Sequence, residues 1–212
     1  MSYLALVRHS ESEWNAKGLW TGWTDIDLGE AGRVEARKTA ELIKDIKFDA
    51  VFCSPLARCR QTLDELRTVI DLENVQTEFV DALKERNYGD FTGKNKWEIE
   101  KQVGEEEFIK IRRAWDYPLS NGESLKDVYE RAMPYYKKSI EPIVKSGKNV
   151  LVVAHGNSIR ALLKYLENIP DEQISSVEVG IAQAVILELD SAGKVIKKEV
   201  RGGVKDAPHE KQ

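Results

Sequence analysis

A short apolar run that ends abruptly in an arginine and a histidine constrains this chain more than any other stretch. Residues 4–7 read Leu-Ala-Leu-Val, and Arg8, His9 and a series of polar residues follow directly. A continuous apolar run of this length is typical of a fully buried strand. Because ligands of open α/β sheets bind outside the carboxyl ends of the strands, a cation and an imidazole at that point indicate an anionic ligand and a nucleophile or base.

A second stretch repeats this arrangement. Residues 150–154 form another apolar run, and His155 and Gly156 follow it at the start of a predicted helix. A lone histidine after a strand is more often a hydrogen-bonded structural residue than a catalytic one. Two of the chain's three histidines, however, each follow a predicted strand. If those strands are neighbours, the two imidazoles share one pocket.

Hydrophobic periodicity predicts strands and helices in alternation along most of the chain. Besides the two runs above, the predicted strands cover residues 48–53, 75–80, 183–189 and 194–200. The predicted helices cover residues 30–46, 54–70, 93–116 (as one or two helices), 125–143 (interrupted at Pro134 and Pro142), 157–167 and a short piece at 171–176. Residues 10–28 are predicted to be a loop in which Trp14, Trp20 and Trp23 form a pocket wall.

Two helix starts carry specific signals. Ser54-Pro55 is typical of an N-cap followed by proline in the first turn, and a helix beginning there offers N–H groups to a phosphate. Ser124 and Asp127 have the spacing of a capping box.

The order of these elements predicts an α/β fold. We expect a mostly parallel central sheet with helices on both faces and a small helical subdomain, residues 81–123, over the carboxyl ends of the strands. No linker divides the chain, so residues 1–212 are predicted to form a single domain. The polar, glycine-containing residues 201–212 are predicted to be a flexible tail or flap.

Composition excludes several classes of function. The chain has 212 residues, 42% hydrophobic and 32% charged, which is ordinary for a soluble globular protein. Its formal net charge of -4 disfavours a nucleic-acid partner. No apolar segment has the length of a membrane span, and the first residues do not resemble a signal peptide. The two cysteines, Cys53 and Cys59, are not spaced as a metal or redox pair and fit a reducing cytoplasm, where we expect this protein to reside.

Five motifs together resemble one known family. They read RHSESEWN, TGW, ERNYG, the Arg112-Arg113 pair and AHGNS. In this order they resemble the phosphoglycerate mutases that use 2,3-bisphosphoglycerate, within the histidine phosphatase superfamily, from about Leu4 to about Asp190. RHxE alone indicates only the superfamily, whereas TGW, ERxYG, a downstream lysine and the paired arginines indicate the mutase branch.

The resemblance implies an activity and the residues that carry it. The activity is interconversion of 3-phosphoglycerate and 2-phosphoglycerate through a phosphohistidine, primed by 2,3-bisphosphoglycerate, in glycolysis and gluconeogenesis. His9 would be the nucleophile and Glu85 the general acid, with Arg8, Arg58 and His155 stabilising charge on the phosphoryl group. The residues implied to bind the rest of the ligand are Ser12, Asn15, Thr21, Gly22, Arg86, Tyr88, Lys96, Arg112, Arg113, Gly156 and Asn157.

These residue types suit phosphoryl transfer. The reaction needs a nucleophile, charge stabilisers around the phosphoryl oxygens and an acid for the leaving oxygen. A neutral imidazole can attack, and the planar arginine fork can bind two oxygens at once. Taken singly, each arginine would more often be a surface ion pair and Glu85 a solvated carboxylate. No grouping of Asp, His and Cys indicates a metal, and none is expected.

Two departures from the family pattern and two alternatives remain. Ser10 stands where the family usually has glycine, and a positive φ there would strain it. Residues 115–122 replace a longer segment, so we expect a trimmed subdomain and a monomer or small homo-oligomer. The first alternative is a phosphatase of the same fold that acts on a small phosphorylated metabolite. The second is a non-catalytic binder of phosphorylated ligands, disfavoured because binding alone needs neither nucleophile nor acid.

Overall fold

A six-stranded sheet forms the centre of the computed structural model, which describes residues 1–204. Its strands are β1 (Ser2–Arg8), β2 (Ala50–Cys53), β3 (Thr77–Phe79), β4 (Val150–Ala154), β5 (Ile181–Leu189) and β6 (Val195–Val204). The strand order is β3-β2-β4-β1-β5-β6. The first four of these are parallel, and β5 and β6 add antiparallel pairings at the β1 edge. The prediction of a mostly parallel sheet is therefore confirmed.

The two apolar runs lie side by side in the middle of this sheet. Strand β1 pairs with β4 in parallel register, from Leu4 opposite Val150 to Arg8 opposite Ala154. The apolar residues of both strands are fully buried because helices cover both faces. His9 and His155 consequently leave the sheet at the same edge, as the sequence indicated.

Helices surround the sheet, and some of them pack on its two faces. They are α1 (Glu13–Ala16), α2 (Glu30–Ile43), α3 (Ala57–Arg67), α4 (Lys96–Val103), α5 (Glu105–Arg113), α6 (Leu125–Tyr135), α7 (Glu141–Lys145) and α8 (Gly156–Leu166). Short 3₁₀ turns cover Asp81–Leu83, Gly89–Phe91 and Ile174–Ser176. One core lies between the sheet and α2 and α3, and the other between the sheet and α6 and α8. The fold class is the α/β class predicted.

The predicted capping box and helix interruption are both present. Ser124 Oγ accepts a hydrogen bond from the Asp127 N–H, and the Asp127 carboxylate accepts one from the Ser124 N–H. Pro134 lies inside α6, and a π-helical turn, Tyr136–Ile140, separates α6 from α7. Pro142 follows this turn at the start of α7. Because proline removes a backbone donor and crowds the preceding turn, Pro142 accounts for the change in helical pitch.

Residues 81–123, called the cap below, contain α4 and α5 and share an apolar cluster with Trp20 of the loop after β1. Its buried members are Trp20, Ile99, Phe108, Ile111 and Leu119. Gly104, with φ of 82°, separates the two helices. Gly89 closes the cap on itself, since its φ is +53° and an added Cβ would lie 2.0 Å from the Ser120 carbonyl oxygen.

Several predicted boundaries are wrong. The loop over residues 10–28 contains helix α1, and Trp23 is 45% exposed, so it does not form a packed wall as the 1% exposed Trp20 does. Helix α3 begins at Ala57 rather than at Ser54. The Ala57 N–H donates to the Asp25 carboxylate, so this group is not offered to a phosphate.

The carboxyl end of the described chain also differs from its prediction. Residues 201–204 continue β6, with Gly202 opposite Gln183 and Val204 opposite Ile181. Arg201 fixes this end by pairing with Asp45. The predicted flexible tail is therefore wrong for these four residues because strand pairing outweighs the flexibility of glycine, and residues 205–212 lie outside those described. Among residues 1–204, no helix is both long and apolar enough to cross a membrane.

Candidate active site

The backbone of His9 is fixed between two strands. Its N–H donates to the Ala154 carbonyl at 3.0 Å, and its carbonyl accepts from the Ala182 N–H at 3.2 Å. The side chain is only 2% exposed. Its Nδ1 lies 2.8 Å from the Ser10 carbonyl oxygen. Because a carbonyl only accepts, Nδ1 carries the proton and the lone pair of the neutral ring is on Nε2, the arrangement that a nucleophile needs.

Ser10 holds its place without the strain that a positive φ would bring. Among the described residues, the non-glycine residues with positive φ are Asn121, Asn168 and Ala182. The Ser10 N–H donates to Thr62 Oγ1 at 3.0 Å, and this contact ties the segment after β1 to helix α3.

His155 packs edge-on against His9, with 5.0 Å between the ring centroids. It is completely buried, and its Nε2 lies 2.8 Å from Ser54 Oγ. Burial, followed by the positive charge of Arg58, holds the pKa of His155 well below its usual value. At neutral pH His155 is therefore an uncharged imidazole, packed against the ring of His9.

Two buried arginines approach the same point from different elements. Arg8 donates to the Val179 carbonyl at 2.7 Å. Arg58, at the start of α3, donates to the Gly22 carbonyl at 2.8 Å. Within residues 1–204, Arg58 Nε and Thr21 Oγ1 are buried without a hydrogen-bond partner. Buried polar groups are rarely left unpaired, so this arrangement is consistent with an anion at the site.

Glu85 joins the cap to helix α8. Its Oε1 accepts hydrogen bonds from the backbone N–H groups of Arg86, at 2.9 Å, and Asn157, at 3.1 Å. Its carbonyl accepts from Trp23 Nε1 and from Arg131. The carboxyl group is buried at the cavity, where its second oxygen, Oε2, can exchange a proton with a bound ligand.

Two connected spaces surround these residues. The inner pocket, of about 50 Å³, is lined by Arg8, His9, Asn15, Leu19, Trp20, Thr21, Gly22, Arg58, Glu85, Tyr88, Lys96 and Arg112. The outer cavity, of about 520 Å³, shares Arg8, Glu85, Tyr88 and Arg112 and adds residues that include Trp97, Arg113, Gly156, Asn157, Arg160, Glu178, Gln183 and Gly203. The structure thus brings most of the predicted site residues to one place.

Three predicted site residues do not line either space. Ser12 Oγ caps helix α1 by accepting from the Asn15 N–H. Arg86 lies behind Tyr88, with its guanidinium 4.7 Å from the ring centre. His155 is shielded from both spaces but touches His9. Ser12 and Arg86 are therefore placed to support ligand-lining residues rather than to contact a ligand.

The paired arginines turn in different directions. Arg112 lies over the Phe108 ring at 5.3 Å. Arg113 forms an ion pair with Glu178 at 2.6 Å. Tyr88 faces the same cavity, and its hydroxyl accepts from Asn157 Nδ2 at 3.0 Å. The cavity therefore has a cationic wall with one exposed acidic partner.

Sequence reasoning missed several of these residues. Ser54 was interpreted as a helix cap, although it contacts His155. Arg131 and Arg160 were not identified, because each lies within an amphipathic helix and binds carbonyl groups brought close only by folding. The available signal for Arg160 was its spacing of three residues from Asn157, which places both on one helix face.

His9, Glu85 and His155 also have the composition of a metal site. One ligand atom of each lies within 4.8 Å of the others. This spacing is within reach of a metal ion, so the expectation of a metal-free reaction stays a prediction.

Known proteins share both the sequence and the fold. A sequence profile of the histidine phosphatase superfamily (branch 1) matches residues 4–200. The chain is 42% identical over 202 residues to a 2,3-bisphosphoglycerate-dependent phosphoglycerate mutase of Mesorhizobium japonicum, covering 94% of this chain and 98% of the relative. Bacillus stearothermophilus YhfR has a similar structure, with a TM-score of 0.80, 26% identity and coverage of 97% of this chain and 99% of that one.

A phosphatase also shares the fold. A mycobacterial glucosyl-3-phosphoglycerate phosphatase, solved as a complex with VO3, matches with a TM-score of 0.78 and 25% identity, covering 98% of this chain and 100% of that one. The profile match spans nearly the whole of this chain. The chain therefore belongs to branch 1 of the histidine phosphatase superfamily.

Proposed function

We propose that this protein is a 2,3-bisphosphoglycerate-dependent phosphoglycerate mutase that interconverts 3-phosphoglycerate and 2-phosphoglycerate. The observation that carries the proposal is the pairing of a buried inner pocket, built around His9, with a larger cavity that has a cationic wall. A ligand with two anionic ends fits such a pair of spaces. The 42% identity to a protein of that name, over nearly the full length of both chains, supports it.

In this reaction His9 Nε2 attacks phosphorus, and the bond from phosphorus to the ester oxygen breaks. Arg8 and Arg58 lie where they can stabilise charge on the phosphoryl oxygens, and neutral His155 supports the same group. Glu85 delivers a proton to the leaving oxygen through Oε2, since Oε1 accepts two backbone N–H groups. In the reverse transfer, Glu85 takes the proton from the attacking hydroxyl.

A bisphosphoglycerate primer fits the residues present. Bound there, it supplies the phosphoryl group that charges His9. Thr21 Oγ1 and Arg58 Nε are buried donors without a partner among the described residues, on the side where one phosphate would lie. Arg112 and Arg113 stand on the side of the second phosphate and the carboxylate. The larger outer cavity leaves space for the intermediate to exchange its two ends.

Phosphatase action is the alternative that a specific observation favours. A phosphatase shares the fold at 25% identity, and both reactions would proceed through phosphorylated His9. They differ in the acceptor, which is either the glycerate hydroxyl or water. A mutase must retain its bisphosphate and exclude water from the phosphohistidine.

One assay separates these functions. Isomerisation of 3-phosphoglycerate and release of inorganic phosphate are measured on the same preparation, with and without 2,3-bisphosphoglycerate. We expect isomerisation to be faster by at least about 100-fold, roughly 2.7 kcal/mol in relative barriers. Phosphate release as fast as isomerisation would replace the mutase assignment with the phosphatase one.

The proposal also covers domain organisation, cellular location, metal dependence and assembly. We expect one domain with the cap as a subdomain, a cytoplasmic protein, a reaction without metal, and a monomer or small homo-oligomer. Light scattering over a range of concentrations tests the assembly, and a concentration-independent tetramer would contradict it. Retention of full activity after exhaustive chelation tests the absence of a metal.

A further inference from the structure

Arg160 is a buried cation that the catalytic steps above do not use. It lies on helix α8, one turn after Asn157, and its side chain lines the outer cavity. Its guanidinium donates to Asn157 Oδ1 at 2.9 Å and to the carbonyl oxygens of Arg113 and Ile174, both at 2.8 Å. Its Nε is buried and has no hydrogen-bond partner within residues 1–204. These contacts join α8, α5 and the turn before β5.

The charge of Arg160 has no carboxylate partner in the part of the chain that the structure describes. Its three hydrogen bonds go to an amide oxygen and two carbonyls, so no carboxylate forms an ion pair with it. Its charged neighbours are the cations Arg113 and Arg86 and, with a smaller effect, the Glu85 carboxylate. A buried charge without a counterion is costly. An anionic ligand in the cavity would remove that cost.

One other cation of this wall, Arg113, is already compensated. Arg113 forms an ion pair with Glu178 at 2.6 Å and is partly exposed to solvent. Water and Glu178 therefore weaken its attraction for a ligand. Arg160 is buried, so its field in the cavity is screened less.

Arg160 also determines how Asn157 is oriented. Because Arg160 donates to Oδ1, the amide must turn Nδ2 toward the Tyr88 hydroxyl, 3.0 Å away. The Asn157 backbone N–H in turn donates to the Glu85 carboxylate. Arg160 thus orients the amide that faces Tyr88 in the outer wall, on the residue whose backbone binds the proposed acid.

We propose that Arg160 is a specificity-determining and positioning residue, whose uncompensated charge selects phosphate esters that carry a carboxylate. This inference rests on the proposed function, since the carboxylate is that of phosphoglycerate. The binding preference that it explains can nevertheless be measured without any turnover.

Two ligands that differ in the carboxylate test it: 3-phosphoglycerate and glycerol 3-phosphate. Their dissociation constants are measured by titration calorimetry on the unphosphorylated protein. We expect the wild type to prefer the carboxylate, and R160Q to reduce the ratio of the two constants by about 10-fold. R160K keeps the charge and should retain the ratio within about 3-fold. K164Q is the matched control, because Lys164 lies one turn later on α8 and pairs with Asp171; it should leave the ratio unchanged.

Either of two results would overturn the inference. One is an R160Q protein that folds and keeps the wild-type ratio. The other is an R160K protein that loses the ratio although it keeps the charge, and this result decides the question even if R160Q does not fold. A failure of the proposed function is seen separately, as a lack of isomerisation by the wild type with its binding preference intact.

Discussion

The inner pocket and the outer cavity are built in different ways. The inner pocket lies at the ends of β1 and β4. Backbone carbonyls of the adjoining loops hold its side chains, that of Ser10 for His9 and that of Gly22 for Arg58. The outer cavity is formed by the cap, the start of α8 and the segment around residues 178–183. Several of its contacts join two side chains, such as Asn157 with Tyr88 and Arg160 with Asn157. Its ion pair between Arg113 and Glu178 is open to solvent.

This difference indicates a division of roles. A rigid, buried pocket around His9 suits the transfer step, which phosphatases and mutases share. The more exposed wall, with its mixed charges, meets the part of the ligand that differs from one phosphate ester to another. Substitutions in the inner pocket should therefore affect the rate of transfer, whereas those in the outer cavity should affect ligand preference.

The strongest test of the inner pocket is His9→Ala. Incubation with labelled 2,3-bisphosphoglycerate should give an acid-labile, base-stable phosphoprotein in the wild type. The variant should lose both the label and all detectable activity, because the neighbouring His155 does not line the pocket and its Nε2 contacts Ser54. His209→Ala is the control and should keep the label. Label persisting in the His9 variant would show that transfer proceeds elsewhere.

Glu85→Gln tests whether the same region supplies the proton. The amide oxygen can still accept the backbone hydrogen bonds that Oε1 accepts, so the fold and ligand binding should be kept. Transfer should slow by about 100-fold or more, the usual scale of general acid catalysis. Rapid-quench measurement of His9 phosphorylation gives the rate, with exposed Glu98→Gln as the control. Near-normal transfer would assign the proton to another group or to water.

The two regions were also not equally predictable from sequence. The core of the inner pocket was predictable, because two apolar runs that each end in a histidine must lie within the sheet. In the structure these two strands are neighbours. Contacts between residues far apart in the chain were not predictable. Asp25 caps Ala57 from 32 residues away, and no local pattern identifies it.

The outer region was predicted less well for the same physical reason. Glycines at 202 and 203 suggested a flexible tail, although residues 201–204 pair with β5. Arg160 lies in a helix whose other residues indicate only an amphipathic face, and its burial results from the packing of α5 and of the turn before β5. Long-range packing therefore determines which side chains line the outer cavity, whereas local apolar patterns determine where the strands of the inner pocket end.

The burial of His155, which packs against His9 of the inner pocket, predicts a pH dependence of the native stability. Its folded pKa is depressed, so the unfolded chain binds a proton below about pH 6.5 while the native protein does not. Native stability should therefore fall as the pH decreases through this range, by up to about 1.4 kcal/mol per pH unit for one group. Denaturant unfolding between pH 5 and pH 8 should show a shallower decline for His155→Gln than for the wild type. Equal slopes would show that His155 is protonated in the native state.

The smallest expected effect concerns the outer wall and Glu178→Gln. Glu178 is 63% exposed and forms an ion pair with Arg113. A ligand anion must therefore compete with Glu178 for that guanidinium. Exposed ion pairs contribute about 0.2–1 kcal/mol, which predicts a decrease in KM for 3-phosphoglycerate of up to about 5-fold with kcat nearly unchanged. The decrease should diminish as salt is added, because screening weakens the ion pair and the ligand contact alike. Exposed Glu172→Gln makes the same change of charge outside the cavity lining and should leave KM as it is. A lower kcat for Glu178→Gln with constant KM would mean that the outer wall takes part in the transfer step, and the division between the two regions would then fail.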